Sequence, residues 1–111
     1  MIVFHMPKYL ASVRYTTDGV KGVMKEGGSK RREAADQVIR SVGGKMESFY
    51  FAFGQDDAYI IADFPDNASA AAVSGIVNSS GTTMVKITPL ITVEDVDQAV
   101  KKTPQYRPPG K

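Results

Sequence analysis

Hydrophobic positions along the chain switch between a period of two and a helical spacing, and the switches mark out the elements. Tyr9 to Thr16 alternates small and bulky side chains around β-branched Val13 and two tyrosines, which predicts a first strand. Thr16-Thr17-Asp18 then offers hydroxyl caps and an acidic first turn. Val20, Val23 and Met24 recur at helical spacing until Gly27-Gly28 stops the helix, which is short and carries Gly19 and Gly22 inside it. Ser29 is the expected cap of a second helix, in which Ala35, Val38, Ile39 and Val42 make the apolar stripe and Arg31, Arg32, Asp36 and Arg40 lie elsewhere. Gly43-Gly44 ends it. Lys45 to Phe53 alternates Phe49, Phe51 and Phe53 against Met46, Ser48, Tyr50 and Ala52, a second strand. Gly54-Gln55-Asp56-Asp57 reads as a turn and Ala58 to Phe64 as the third strand.

Pro65-Asp66-Asn67 breaks that strand and caps a helix of small residues from Ala68 to Asn78, which Gly81 closes. Thr82 to Ile91 is a fourth strand rich in β-branched residues, where Pro89 implies an edge or a bulge. Thr92 with Asp95 forms a capping box for a last helix, with Ile91 and Val96 as its expected staple. The order is the β-α-β-β-α-β of an α+β ferredoxin-like layer with an antiparallel sheet, an extra helix in the first crossover and another at the C-terminus. The domain is expected over residues 7–102. Residues 103–111 are proline-rich and without period, an arm whose Tyr106 is a docking point. Residues 1–6 are set aside as an N-terminal extension, open to being non-native, because Met6-Pro7-Lys8 looks like a natural beginning.

A two-layer sandwich should leave its sheet polar on one side, yet both alternating sets carry large apolar groups. One is read as Phe49, Phe51, Phe53, Ile60, Phe64 and Met84; the other as Val13, Tyr50, Tyr59, Ile61, Val85 and Ile87. Something other than the helices must cover one face, and a second copy of the same sheet is the simplest cover, giving a homodimer or a higher homo-oligomer.

Composition narrows the chemistry. With no cysteine and a single histidine, His5, thiol nucleophiles, thiolate metal sites, redox disulfides and multi-histidine centres are excluded, and neither a metal nor a cofactor is expected. The missing cysteine also fits a reducing, cytoplasmic setting. Fourteen basic against twelve acidic side chains is too slight a bias to imply nucleic acid, and no apolar run reaches membrane-span length.

Along nearly its whole length the chain resembles the GYD family, small bacterial proteins of the dimeric α/β-barrel superfamily. The matching stretches are Pro7-Lys8-Tyr9-Leu10 with Tyr15-Thr16, Gly19-Val20-Lys21-Gly22, Lys25-Glu26-Gly27-Gly28-Ser29 with Arg31-Arg32-Glu33, and Gly43-Gly44-Lys45. Further on come Phe49-Tyr50-Phe51-Ala52-Phe53-Gly54, Thr88-Pro89-Leu90 and Tyr106-Arg107-Pro108-Pro109-Gly110. The resemblance implies a dimeric α/β barrel but carries no settled activity. One departure stands out: the Gly-x-Tyr-Asp element that names the family is here Gly54-Gln55-Asp56-Asp57, with an acid in the tyrosine place.

Candidate chemistry is sparse, and each candidate has a plain structural alternative. Tyr15 and Tyr50 are expected to share a face and orient a phenolic or carbonyl ligand between sheet and helices, or simply to pack. Asp57 is a base or a turn residue, and Asp63 alternates onto its face. Tyr15, Tyr50, Asp57 and Asp63 are therefore the expected ligand-binding set, with the first three as catalytic candidates. Gly27-Gly28-Ser29, flanked by Lys25, Lys30, Arg31 and Arg32, resembles an anion cradle but is also what a helix break and restart requires. By superfamily analogy alone the chemistry is cofactor-free turnover of a small aromatic or carbonyl metabolite, by oxygenation, isomerisation or decarboxylation. The competing class is a non-catalytic oligomeric, stress-associated or interaction module.

Overall fold

In a computed structural model, which describes residues 6–111, the expected elements form in the expected order. They are β1 (Lys8–Tyr15), α1 (Thr17–Glu26), α2 (Gly28–Ser41), β2 (Lys45–Phe51), β3 (Ala58–Asp63), α3 (Asn67–Asn78), β4 (Thr83–Leu90) and α4 (Val93–Ala99). Most of the N-terminal extension read over residues 1–6 lies outside the described residues. The four strands form one sheet in the order β2-β3-β1-β4 with every neighbouring pair antiparallel. This is the ferredoxin-like topology, with the two central strands contributed by the two halves of the chain.

Local chemistry accounts for most boundaries. The Thr16 hydroxyl accepts from the Gly19 N–H to cap α1, the Asp66 carboxylate accepts from the Ser69 N–H to cap α3, and Thr92 and Asp95 cap α4 reciprocally. The α1–α2 junction departs from expectation. Gly27 alone separates the helices at φ +89°, α2 starts at Gly28, and Ser29 is inside the helix rather than its cap. A side chain at Gly27 would strain that left-handed turn, so one glycine serves both as the stop of α1 and as the start of α2.

The core lies between the sheet and α2 and α3. Tyr9, Val13, Ala58, Ile60 and Ala62 of β1 and β3, with Phe64 just after β3, pack with Ile39 of α2 and Ala70 and Val73 of α3, and Tyr9 meets Phe64 edge to face at 5.4 Å. Both sides of the sheet carry apolar groups, but the sets differ from those read off the alternation. Val13 pairs with Ala58 and Val85, and Ala11 with Ile60 and Ile87, so Val13, Val85 and Ile87 join Phe49, Ile60 and Phe64 beneath the helices. Met84, opposite Arg14, belongs to the outer face with Tyr50, Tyr59 and Ile61. Alternation fixes faces within a strand, whereas between strands only the register does.

A bulge in β2 caused a second departure. Met46 lies opposite Ala62 and Ser48 opposite Ile61, so Glu47 is the inserted residue and the alternation resets there. Met46 thereby packs with Phe49 under the helices. Phe53, expected in β2, lies beyond its end and is fully exposed. From Thr88, near the end of β4, to Lys111 every residue is exposed, including Ile91, Val93, Val96, Val100 and Tyr106, so Ile91 and Val96 do not shield one another as a staple would.

Candidate functional site

The packing of α2 and α3 on the sheet is incomplete, because the facing side chains are small. Ala11 and Ala62 on the strands oppose Ala34 and Ala35 on α2, and the space they leave is a cavity of about 350 Å³. Val38, Val73, Val77, Val85 and Ile87 close its walls with Tyr9, Phe49 and Phe64, and Tyr15, Ser80, Thr82 and Thr83 bring hydroxyls to its lining. A ring the size of benzene needs roughly 150 Å³ of such space, so this chamber takes a substituted ring or a comparable aliphatic body.

Among the described residues one charged side chain lines the chamber, that of Arg31. Its Nε is buried and has no hydrogen-bond partner among the described residues, and none of the ion pairs there involves its guanidinium. Leaving a buried donor unmet costs about 1–3 kcal/mol, and more for a charged group, so the arrangement is expensive unless something enters to accept from it. The sequence reading set Arg31 on the polar side of α2. The helical spacing that would have placed it correctly was present: Arg31, Ala34, Ala35, Val38, Ile39 and Val42 follow i, i+3, i+4, i+7, i+8, i+11, so Arg31 is the first member of the stripe.

A second, polar cavity of about 280 Å³ adjoins the first beneath α1, and the two share Tyr15, Arg31, Thr82 and Thr83. Its other walls include Asp18, Lys25 and Glu26. Gly19 sets its floor: a Cβ there would sit 2.0 Å from the Thr82 carbonyl oxygen, so only glycine lets α1 approach β4 this closely. Thr16 N–H donates to the same carbonyl at 3.0 Å, fixing the corner where the two cavities meet.

The structure scatters the four expected site residues. Tyr15 lines both cavities, but Tyr50 is on the outer face of the sheet, 72% exposed and opposite Tyr59, so the expected shared face does not exist. Asp57 closes the hairpin: its Oδ2 accepts from Tyr15 N–H at 2.8 Å and its backbone pairs with Val13 and Ala52. Asp63 is at the far end of β3, about 20 Å from Asp57 at the rise of a strand. There it accepts from Lys8 Nζ at 2.8 Å beside Glu47, and that hydrogen bond holds the Lys8 ammonium above its usual range. The acid in the tyrosine place also has a role: Asp56 accepts from the Tyr59 hydroxyl at 3.1 Å and raises that phenol's pKa, while Arg14 donates to the Gln55 carbonyl.

A four-stranded antiparallel sheet, helices on one side and a chamber between the layers define a two-layer α+β protein of ferredoxin-like topology. The chain belongs to the GYD domain family, whose family model matches residues 9–100. No curated protein and no solved structure matches it. Among the described residues no helix is long and apolar enough to cross a membrane.

Proposed function

We propose that this GYD domain is a small-molecule-binding protein that receives a compact, largely apolar metabolite, aromatic or carbonyl-bearing, in the chamber between sheet and helices, and that it works as a homo-oligomer. The observation that carries the reading is the chamber itself: a folded core would gain by filling some 350 Å³ with larger side chains than four alanines, and this one does not. Tyr15 is the only one of the three catalytic candidates that reaches it, so any proton transfer on a bound ligand falls to that hydroxyl. Pairing with a second copy is supported by the outer face, where Tyr50, Tyr59, Met84 and Leu90 stand exposed around half-buried Leu10 and Ile61, and by the uncovered apolar side chains of α4 and the arm.

Two measurements test this. Fluorescence of N-phenyl-1-naphthylamine, a neutral apolar probe, should rise on mixing with the protein and should not rise with Ala35→Phe, which fills the chamber. Equal signals from both proteins, with the variant folded by circular dichroism, would sink the chamber as the binding site. Native mass spectrometry should show a dimer or larger assembly, and a monomer at every concentration removes the oligomer from the reading.

The non-catalytic alternative rests on the same outer face and arm. It is favoured if Ala35→Phe leaves every cellular phenotype of the gene intact while Tyr50→Ser, on the outer face, does not.

A further inference from the structure

We infer that the occupant of the chamber is a monocarboxylate, bound with its apolar body among the alanines and its carboxylate on Arg31. This rests on the chamber being a binding site and adds the charge of its ligand.

Three observations converge. Among the described residues Arg31 is the one charged group in a mostly apolar lining, and a buried Nε without a partner is a donor waiting for an acceptor. Arg31 lines both the apolar and the polar cavity, as do Tyr15, Thr82 and Thr83, so an acceptor where the two meet has a planar charged fork and hydroxyl-bearing residues within the same walls. A carboxylate matches that fork with two oxygens and a compensating charge, whereas a neutral carbonyl offers one oxygen and leaves the charge uncompensated.

The surroundings also limit how much negative charge is welcome. The polar cavity carries Asp18 and Glu26 against Lys25 and Arg31, so its acidic and basic groups balance. A group of charge near minus two, such as a phosphate monoester, would meet those two carboxylates, while a single carboxylate held at the junction keeps its charge against Arg31. The ligand is therefore a singly charged acid on a body of about one ring.

The test compares 3-phenylpropionate, its neutral amide 3-phenylpropanamide and phenyl phosphate by isothermal titration and by displacement of N-phenyl-1-naphthylamine. The acid should bind about tenfold or more tighter than the amide, the worth of one good charge-assisted contact, and tighter than the phosphate. Arg31→Gln should bring the acid down to the affinity of the amide and leave the amide unchanged; Arg31→Lys should keep part of the preference. The acid should raise the melting temperature of the wild-type protein and not that of Arg31→Gln. Acid and amide binding equally, or an acid preference that survives Arg31→Gln, overturns the inference while leaving the chamber as a site. Failure of all three compounds and of the neutral probe overturns both readings. If Arg31→Gln proves unfolded, Arg31→Lys decides: a preference for the acid that is kept only in part supports a carboxylate held on residue 31, whereas an undiminished preference in that variant, or no preference in the wild type, rejects it.

Discussion

The two faces of the sheet meet the same strands with opposite solutions. Beneath the helices, Tyr9, Val13, Ile60 and Phe64 are almost wholly withdrawn from water and find their partners within the chain. On the outer face, Lys8 is held by Asp63 and Glu47 at one end, and a patch of Tyr50, Tyr59 and Met84 stands in water at the other. The inner face is covered by helices but not filled, and the outer face is rich in apolar surface but has no covering layer. Stability is concentrated on one side, and the proposed function draws on both shortfalls: the chamber for a ligand and the outer face for a second copy.

Phe64→Ala is the most damaging way to probe the inner face, removing a nearly inaccessible ring that packs edge to face on Tyr9, and urea unfolding should show a loss of about 3–5 kcal/mol. Gly19→Ala comes next. Its new methyl group collides with the Thr82 carbonyl, and the forced shift of α1 from β4 should cost about 1–3 kcal/mol, with weaker ligand binding because the junction opens. Tyr9→Phe keeps the ring and deletes its hydroxyl bond to the Asn67 side chain, an expected loss of about 1 kcal/mol. A change of similar size in Tyr50→Ser measured at high dilution would erase the contrast between faces. The expected value there is within about 0.5 kcal/mol, with the effect appearing instead as weaker self-association in sedimentation.

Smallest of all are the effects of pH at the outer face and the helix caps. The Lys8 ammonium titrates above its ordinary 10.5 in the folded protein because Asp63 holds it, so its contribution is complete below that value and fades as pH rises through the folded pKa. Its side chain is 42% exposed, so salt should screen most of the effect, and alkaline melts in low and high salt should differ only slightly. Asp66 runs the other way. Its bond from Ser69 lowers its pKa below 3.8, so the cap is intact above that value and is lost as pH falls through the folded pKa; Asp66→Ala should remove that part of the acid transition.

Element order was legible because period, glycine stops and cap residues agree along the chain: the capping box at Thr92, the break at Pro65 and the glycine pairs each sit at an observed boundary or within a residue or two of one. What lay between strands was not. Met84 and Val85 exchange faces relative to the sequence reading because pairing register is a property of two strands, and the insertion of Glu47 is invisible in an alternation that continues on either side of it. The site is less legible for a related reason. Pairing Tyr15 with Tyr50, and Asp57 with Asp63, depends on which strands are neighbours and in what register, and Arg31, which the sequence places beside a glycine-rich helix start, lines the chamber only because of the face on which α2 packs.

Strand β4 carries one more consequence. Its Val85 N–H and C=O point away from β1 and are taken by the Asn78 side chain, at 2.7 and 3.0 Å. The repeat of two places Pro89 with its missing N–H on that same outward side, so of the donors at 85, 87 and 89 only that of Ile87 is left for a passing chain. Across the sheet, the bulge at Glu47 interrupts the rim of β2. Growth of the sheet by strand addition, the route to fibrils, is thus blunted at both rims.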